Sequence, residues 1–178
     1  MRLLQILIGI SGAGKSTYIK KHNEPNYTIL SLDSIRKEML GDVSDQSKNH
    51  EIYSIFLERF EDLIKNTDND ICIDNTNLDE KSIFNLLDIC NKYKEEIYLI
   101  PNFFLDSFDW ELCRDRVKKD KTDRSRTDTV EVNGVPLHKQ MCDRFTNLFK
   151  KMAQNEDAWA DFITDKYPCV KTVRFWYV

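Results

Sequence analysis

The chain alternates short, mainly apolar runs with longer stretches in which apolar residues recur every three or four positions. Residues 3–8, LLQILI, are apolar up to Gly9, which predicts a buried strand. YTILSL (27–32), ICID (71–74) and IYLIPNFF (97–104) repeat that pattern, and KTVRFWYV closes the chain as a further strand. Helices are predicted over 15–22 and 34–40. Over 47–66, Ile52, Tyr53, Phe56, Phe60 and Ile64 stand at helical spacing with charge between them. Residues 79–93 place Ile83, Leu86, Leu87 and Cys90 on one face, and residues 107–119, 137–152 and 156–164 read as helices. The least regular parts are 41–46 and 120–136, and Asn133-Gly134 between EV and VP predicts a tight hairpin turn. Strands alternating with helices predict an α/β fold, a parallel sheet covered on both faces. Phe149, Met152, Trp159, Phe162, Phe175 and Trp176 in the tail read as core, with a base-stacking platform as the alternative.

The break after the first strand carries the chemistry. Gly9-Ile10-Ser11-Gly12-Ala13-Gly14-Lys15-Ser16 matches G-x-x-x-x-G-K-[ST] in full, after a strand and at the head of a helix. The glycines let backbone N–H groups turn inward around a β-phosphate, and the helix that follows presents its own unsatisfied N–H groups to the same anion. Lys15 then reaches the β- and γ-phosphates, the Ser16 hydroxyl is the expected Mg²⁺ ligand, and Thr17 completes the cradle.

Three further segments narrow the reaction. Asp33-Ser34-Ile35-Arg36 follows the second strand, where ligands of an open α/β sheet sit. A carboxylate there can take the proton of a hydroxyl nucleophile, and Arg36 one turn on could hold an anion on the acceptor; the bland alternative is a helix cap and a solvated charge. Asp74 ends the third strand as a Walker-B-type carboxylate for Mg²⁺, with Asn75, Thr76 and Asn77 expected to line the acceptor pocket; ordinary turn chemistry is the alternative. Residues 114–126 hold seven basic and three acidic side chains, which suits a basic lid over the transferring phosphoryl group.

Composition limits the partners. The chain has 178 residues, 41% of them hydrophobic and 11% aromatic, enough for one cored domain. With 26 basic and 30 acidic side chains its net charge is −4, so nucleic-acid contact must come from a local patch. No secretory signal and no run near the ~20 apolar residues of a membrane helix is visible, which gives the expectation of a cytoplasmic protein without a membrane partner. The five cysteines are scattered and read as reduced structural thiols, and the three histidines complete no zinc spacing.

GISGAGKST, SLDSIR, IDNTNL and WELCRDR, in this order over residues 3–145, resemble the P-loop polynucleotide kinase family, as in the kinase domain of T-even phage 5′-polynucleotide kinase. The resemblance implies ATP-phosphate and metal binding by Lys15 and Ser16, an Asp33 general base, and an Arg36 contact to the acceptor's phosphate. The family's D-T-N-L stretch here reads N-T-N-L, with Asp74 one place before it. Of the family's two lid arginines four residues apart, Arg116 matches the first; Asp120 stands at the second, leaving Arg124 or Arg126 to replace it.

Together these readings predict one domain over 1–178, a three-layer P-loop kinase fold of sheet order 2-3-1-4-5, with a lid over about 114–136. The expected activity is ATP-dependent transfer of the γ-phosphate to a 5′-hydroxyl of DNA or RNA, with oligomerisation left open. One rival is a small-molecule or nucleoside kinase, in which Phe56 and Phe60 would pack over a base. The other is a nucleotide-binding module without catalysis.

Overall fold

The structure, a computed structural model, describes residues 1–22, 27–122 and 127–178. Its strands are β1 (Arg2–Ile8), β2 (Tyr27–Leu30), β3 (Asp70–Ile73), β4 (Ile97–Phe103), the hairpin pair β5 (Glu131–Val132) and β6 (Val135–Pro136), β7 (Val170–Val173) and β8 (Trp176–Tyr177). Its helices are α1 (Lys15–His22), α2 (Leu32–Leu40), α3 (Asn49–Asn66), α4 (Glu80–Lys92), α5 (Trp110–Lys119), α6 (Leu137–Met152) and α7 (Glu156–Lys166).

The main sheet is parallel in the order β2-β3-β1-β4-β7, with β8 also pairing β4. This is the expected order, the fifth strand being the chain's last. That strand is broken in two: Tyr98 pairs with Thr172 and Asn102 with Trp176, and Arg174-Phe175 lies between the pieces. The break turns Phe175 inward against Trp159, ring centroids 5.7 Å apart. Trp176, expected in the core, is instead 47% exposed, as is Phe162. On α7, Trp159 and Ile163 face inward at i and i+4, whereas Phe162 turns out beside Phe84 and under Lys166. Phe149 and Met152 pack as expected. The hairpin turn also forms, Asn133 and Gly134 both taking positive φ, as a two-residue hairpin demands.

Because β1 is central, its crossover through α1 and that of β3 through α4 run in opposite directions along the sheet. Right-handed crossovers then put α1 and α4 on opposite faces. A crevice opens between them at the C-terminal ends of β1 and β3. Two hydrogen bonds join the segments there: the Gly9 N–H donates to the Thr76 carbonyl (3.1 Å), and Asn77 Nδ2 donates to the Leu7 carbonyl (2.7 Å). Beneath the crevice, Leu4, Ile6, Leu7, Ile8, Ile71 and Ile73 are fully buried. Among the described residues no helix is long and apolar enough to cross a membrane.

Candidate active site

The loop from Gly9 to Gly14 is shaped by close approaches. A Cβ on Gly9 would lie 2.9 Å from Phe104 Cβ, and one on Gly12 would lie 2.2 Å from the Cys113 carbonyl oxygen of α5. Gly12 and Gly14 take φ of +87° and +103°, where L side chains are strained. Lys15 Nζ donates to the carbonyls of Gly9 (2.8 Å) and Ile10 (3.0 Å), folding back over the loop. The N–H groups of Ser16 and Thr17 fall in the first turn of α1, where a helix offers no acceptors of its own, and both residues face the crevice.

Several elements hold the loop from outside. Ser107, buried in the turn after β4, accepts from the Ile10 N–H (3.0 Å). Arg116 of α5 donates to the Gly12 carbonyl (3.3 Å) and pairs with Asp106 (2.6 Å). His138 of α6 places Nε2 3.2 Å from the Ser11 carbonyl and 3.5 Å from Thr127 Oγ1. The ring is fully buried, and that burial holds its pKa below the ordinary value. Burial likewise pushes the Cys113 thiol up to about 11, which leaves it inert.

Across the crevice, α2 begins earlier than expected. Ser31 ends the strand and caps the helix, its Oγ accepting from the Ser34 N–H (3.3 Å). Asp33 therefore sits in the first turn of α2, exposed to the same large cavity that the phosphate loop lines. Arg36 is not a solvated charge. It is 6% exposed, pairs with Asp33, and donates to Asn49 Oδ1 (3.1 Å), while its Nε has no hydrogen-bond partner. Asn75 Oδ1 accepts from the Leu32 N–H (2.8 Å), so it fixes the head of α2 to the end of β3.

The cavity, about 1290 Å³, brings together Ser11, Gly12, Ala13, Gly14, Lys15, Ser16 and Thr17 of the loop with Asp33, Arg36, Asp74, Asn75, Thr76 and Arg116. Gly9 lies beneath the loop, and Asn77 is a buried strut rather than a wall of this cavity. Arg124 and Arg126 lie outside the described residues. Phe56 and Phe60, which the nucleoside reading would place over a base, are 2% and 0% exposed and belong to the core. Sequence reasoning missed Ser107 and His138, neither of which stands in a recognisable motif.

The oxygen donors of Ser16 and Asp74 share the cavity, and among the described residues no group of three or more His, Cys, Asp or Glu side chains is placed to hold a metal. That donor set fits Mg²⁺, which is commonly held by one or two protein oxygens together with waters and substrate phosphates.

A parallel 2-3-1-4 sheet with a glycine loop feeding α1 defines a P-loop nucleotide-binding α/β protein of kinase type. The AAA domain family matches residues 4–146, and the chain belongs to that family. No curated protein matches the sequence significantly. A chain in a structure of the Pnkp1/Rnl/Hen1 RNA repair complex superposes with a TM-score of 0.62 at 21% identity, covering 85% of this chain and 46% of that one. A chain in a second Pnkp1/Rnl/Hen1 complex gives 0.50 at 23% identity, covering 76% and 45%. The Deinococcus radiodurans tunicamycin resistance protein gives 0.51 at 12% identity, covering 87% and 83%. At these identities the likeness is one of fold. The chain spans under half the length of the two repair-complex chains.

Proposed function

We propose that the chain is an ATP-dependent kinase that passes the γ-phosphoryl group to a hydroxyl acceptor, the 5′-hydroxyl end of a DNA or RNA strand. The observation that carries this is the cavity that Asp33 shares with the phosphate loop. A nucleotide binder has no use for a carboxylate across the cleft, whereas a kinase needs one to accept the hydroxyl proton.

Gly12, Gly14 and the first turn of α1 hold the triphosphate through backbone N–H groups. Lys15 leaves the Gly9 and Ile10 carbonyls for the β- and γ-phosphates. Ser16 and Asp74 would hold Mg²⁺, which when bound would neutralise negative charge on the nucleotide phosphates. Asp33 takes the proton from the acceptor hydroxyl as its oxygen attacks γ-phosphorus and the bond to the β-phosphate oxygen breaks. Arg36, fixed beside Asp33, orients an acceptor phosphate, and Thr76 and Asn75 form the floor between them. Arg116, with Arg124 or Arg126 from the lid, meets the negative charge on the transferring group. Most of the acceleration is positioning and electrostatics.

The acceptor class rests on two features. The cavity is large, and neither phenylalanine of the nucleoside alternative lines it. The repair-complex neighbours, whose fold is similar, point to the same class. The test is γ-labelled ATP with a panel of 5′-hydroxyl oligonucleotides, free nucleosides and sugars. Label on oligonucleotides, with acceptor affinity falling steeply as salt rises, is the expected outcome. Label on nucleosides alone, with a shallow salt slope, would give the site to a small-molecule kinase.

A further inference from the structure

His138 is the second residue of α6, the helix that directly follows the β5–β6 hairpin. It is completely buried, yet it belongs to no catalytic motif. Its Nε2 faces a backbone carbonyl, Ser11 O at 3.2 Å, and a carbonyl only accepts. The proton is therefore on Nε2, and Nδ1 carries a lone pair, buried and without a partner. A second proton on the ring is disfavoured from two sides: the N-terminal end of α6 is the positive end of its dipole, and the ring is buried.

The peptide between Ser11 and Gly12 is trans, so its carbonyl and N–H point in opposite directions. Tying the Ser11 oxygen to His138 thus turns the Gly12 N–H away from α6. The next carbonyl, Gly12 O, is held by Arg116 of α5. Two successive peptides of the phosphate loop are clamped by side chains of α5 and α6. Thr127, within the lid range of about 114–136, has its Oγ1 3.5 Å from the same His138 nitrogen, so the lid segment and the loop meet at one atom.

We infer that His138 is a positioning residue that presets the Ser11–Gly12 peptide for phosphate and ties the lid segment to the loop. This rests on the kinase reading for its consequence, though not for its geometry. The ligand-free clamp is tested first, by hydrogen exchange of peptides covering Gly12–Lys15 and Thr127–Val132. Glutamine places its amide N–H about where Nε2 stands, whereas asparagine is too short and leucine lacks a donor. His138→Leu and His138→Asn are expected to speed exchange in both peptides together, and His138→Gln to restore slow exchange.

The second measurement is calorimetric affinity for Mg·ADP and Mg·ATP, with donor KM and kcat. Loss of one hydrogen bond of ordinary strength predicts about a five- to tenfold weaker nucleotide in the Leu and Asn variants, and within about twofold of wild type in the Gln variant. If His138→Leu fails to fold, the Asn–Gln pair, both polar and similar in size, decides the matter. Unchanged exchange and affinity in His138→Asn overturn the proposal, and so does a Gln variant as damaged as the Asn one. A wild-type protein that binds no nucleotide would refute the kinase reading and leave the exchange result to judge the clamp.

Discussion

Replacing Gly12 with alanine separates the packing of the phosphate loop from its chemistry. The new methyl carbon would stand 2.2 Å from the Cys113 carbonyl oxygen and 2.9 Å from its carbon. That neighbour is backbone of α5 at a fully buried residue, so it cannot step aside like the end of a flexible side chain. Holding an L residue at φ +87° adds roughly 1–2 kcal/mol of strain. Forcing a methyl into a filled space adds about 1–3 kcal/mol more. Gly12→Ala should therefore cost about 2–5 kcal/mol, a fall of roughly 4–20 °C in melting temperature for a chain of this size. Gly14→Ala is the control. Its φ is +103°, but nothing lies within 4 Å of its Cβ. It should lose only the strain, about 1–2 kcal/mol, while its methyl enters the space that the proposed function gives to phosphate. Thermal unfolding by circular dichroism, paired with nucleotide titration, reads both. The expected pattern is Gly12→Ala melting clearly below Gly14→Ala, with nucleotide binding impaired in both. A Gly12→Ala variant as stable as Gly14→Ala would refute the packing argument.

Asp33→Ala should abolish phosphoryl transfer and keep ATP affinity, measured by single-turnover kinetics and calorimetry; full turnover would remove Asp33 as the base. Lys15→Ala should weaken ATP by tenfold or more, since a charge-assisted contact is worth roughly 1.5–3 kcal/mol; unchanged affinity would contradict the loop's role. Burial lowers the His138 pKa from 6.5, outweighing the nearby Asp128, while Arg114 acts with it. The unfolded chain thus binds this proton more readily, so the stability His138 confers is full above about pH 6.5 and is lost as pH falls toward the depressed value. The melting-temperature difference between wild type and His138→Gln should shrink from about pH 7.5 to about pH 5.5; a pH-independent difference would contradict it.

The parts legible in sequence are those whose physics is local. The loop declares itself because only glycine tolerates φ near +90° there and because strand and helix flank it in series. The strand order followed from the fold class that this motif implies. Boundaries were less legible where one residue serves two elements. Ser31 continues the apolar run of β2 on paper, but its hydroxyl caps α2 and moves Leu32 into the helix. Asn77 reads as a pocket residue by position, yet its amide closes on the Leu7 carbonyl 70 residues earlier, a tertiary bond with no sequence trace. His138 was illegible for the same reason, because its partner is a backbone oxygen 127 positions away. Trp176 was misread although the signal was present: strand alternation turns it outward once Phe175 faces in.

The account stands on backbone N–H groups at the head of α1 gripping a triphosphate, and amide NMR during titration with Mg·ATP observes that grip residue by residue. The predicted result is large downfield shifts of the amide protons of Gly14, Lys15, Ser16 and Thr17, saturating together. Amides that stay unmoved there, while shifts gather elsewhere on the surface, would contradict it.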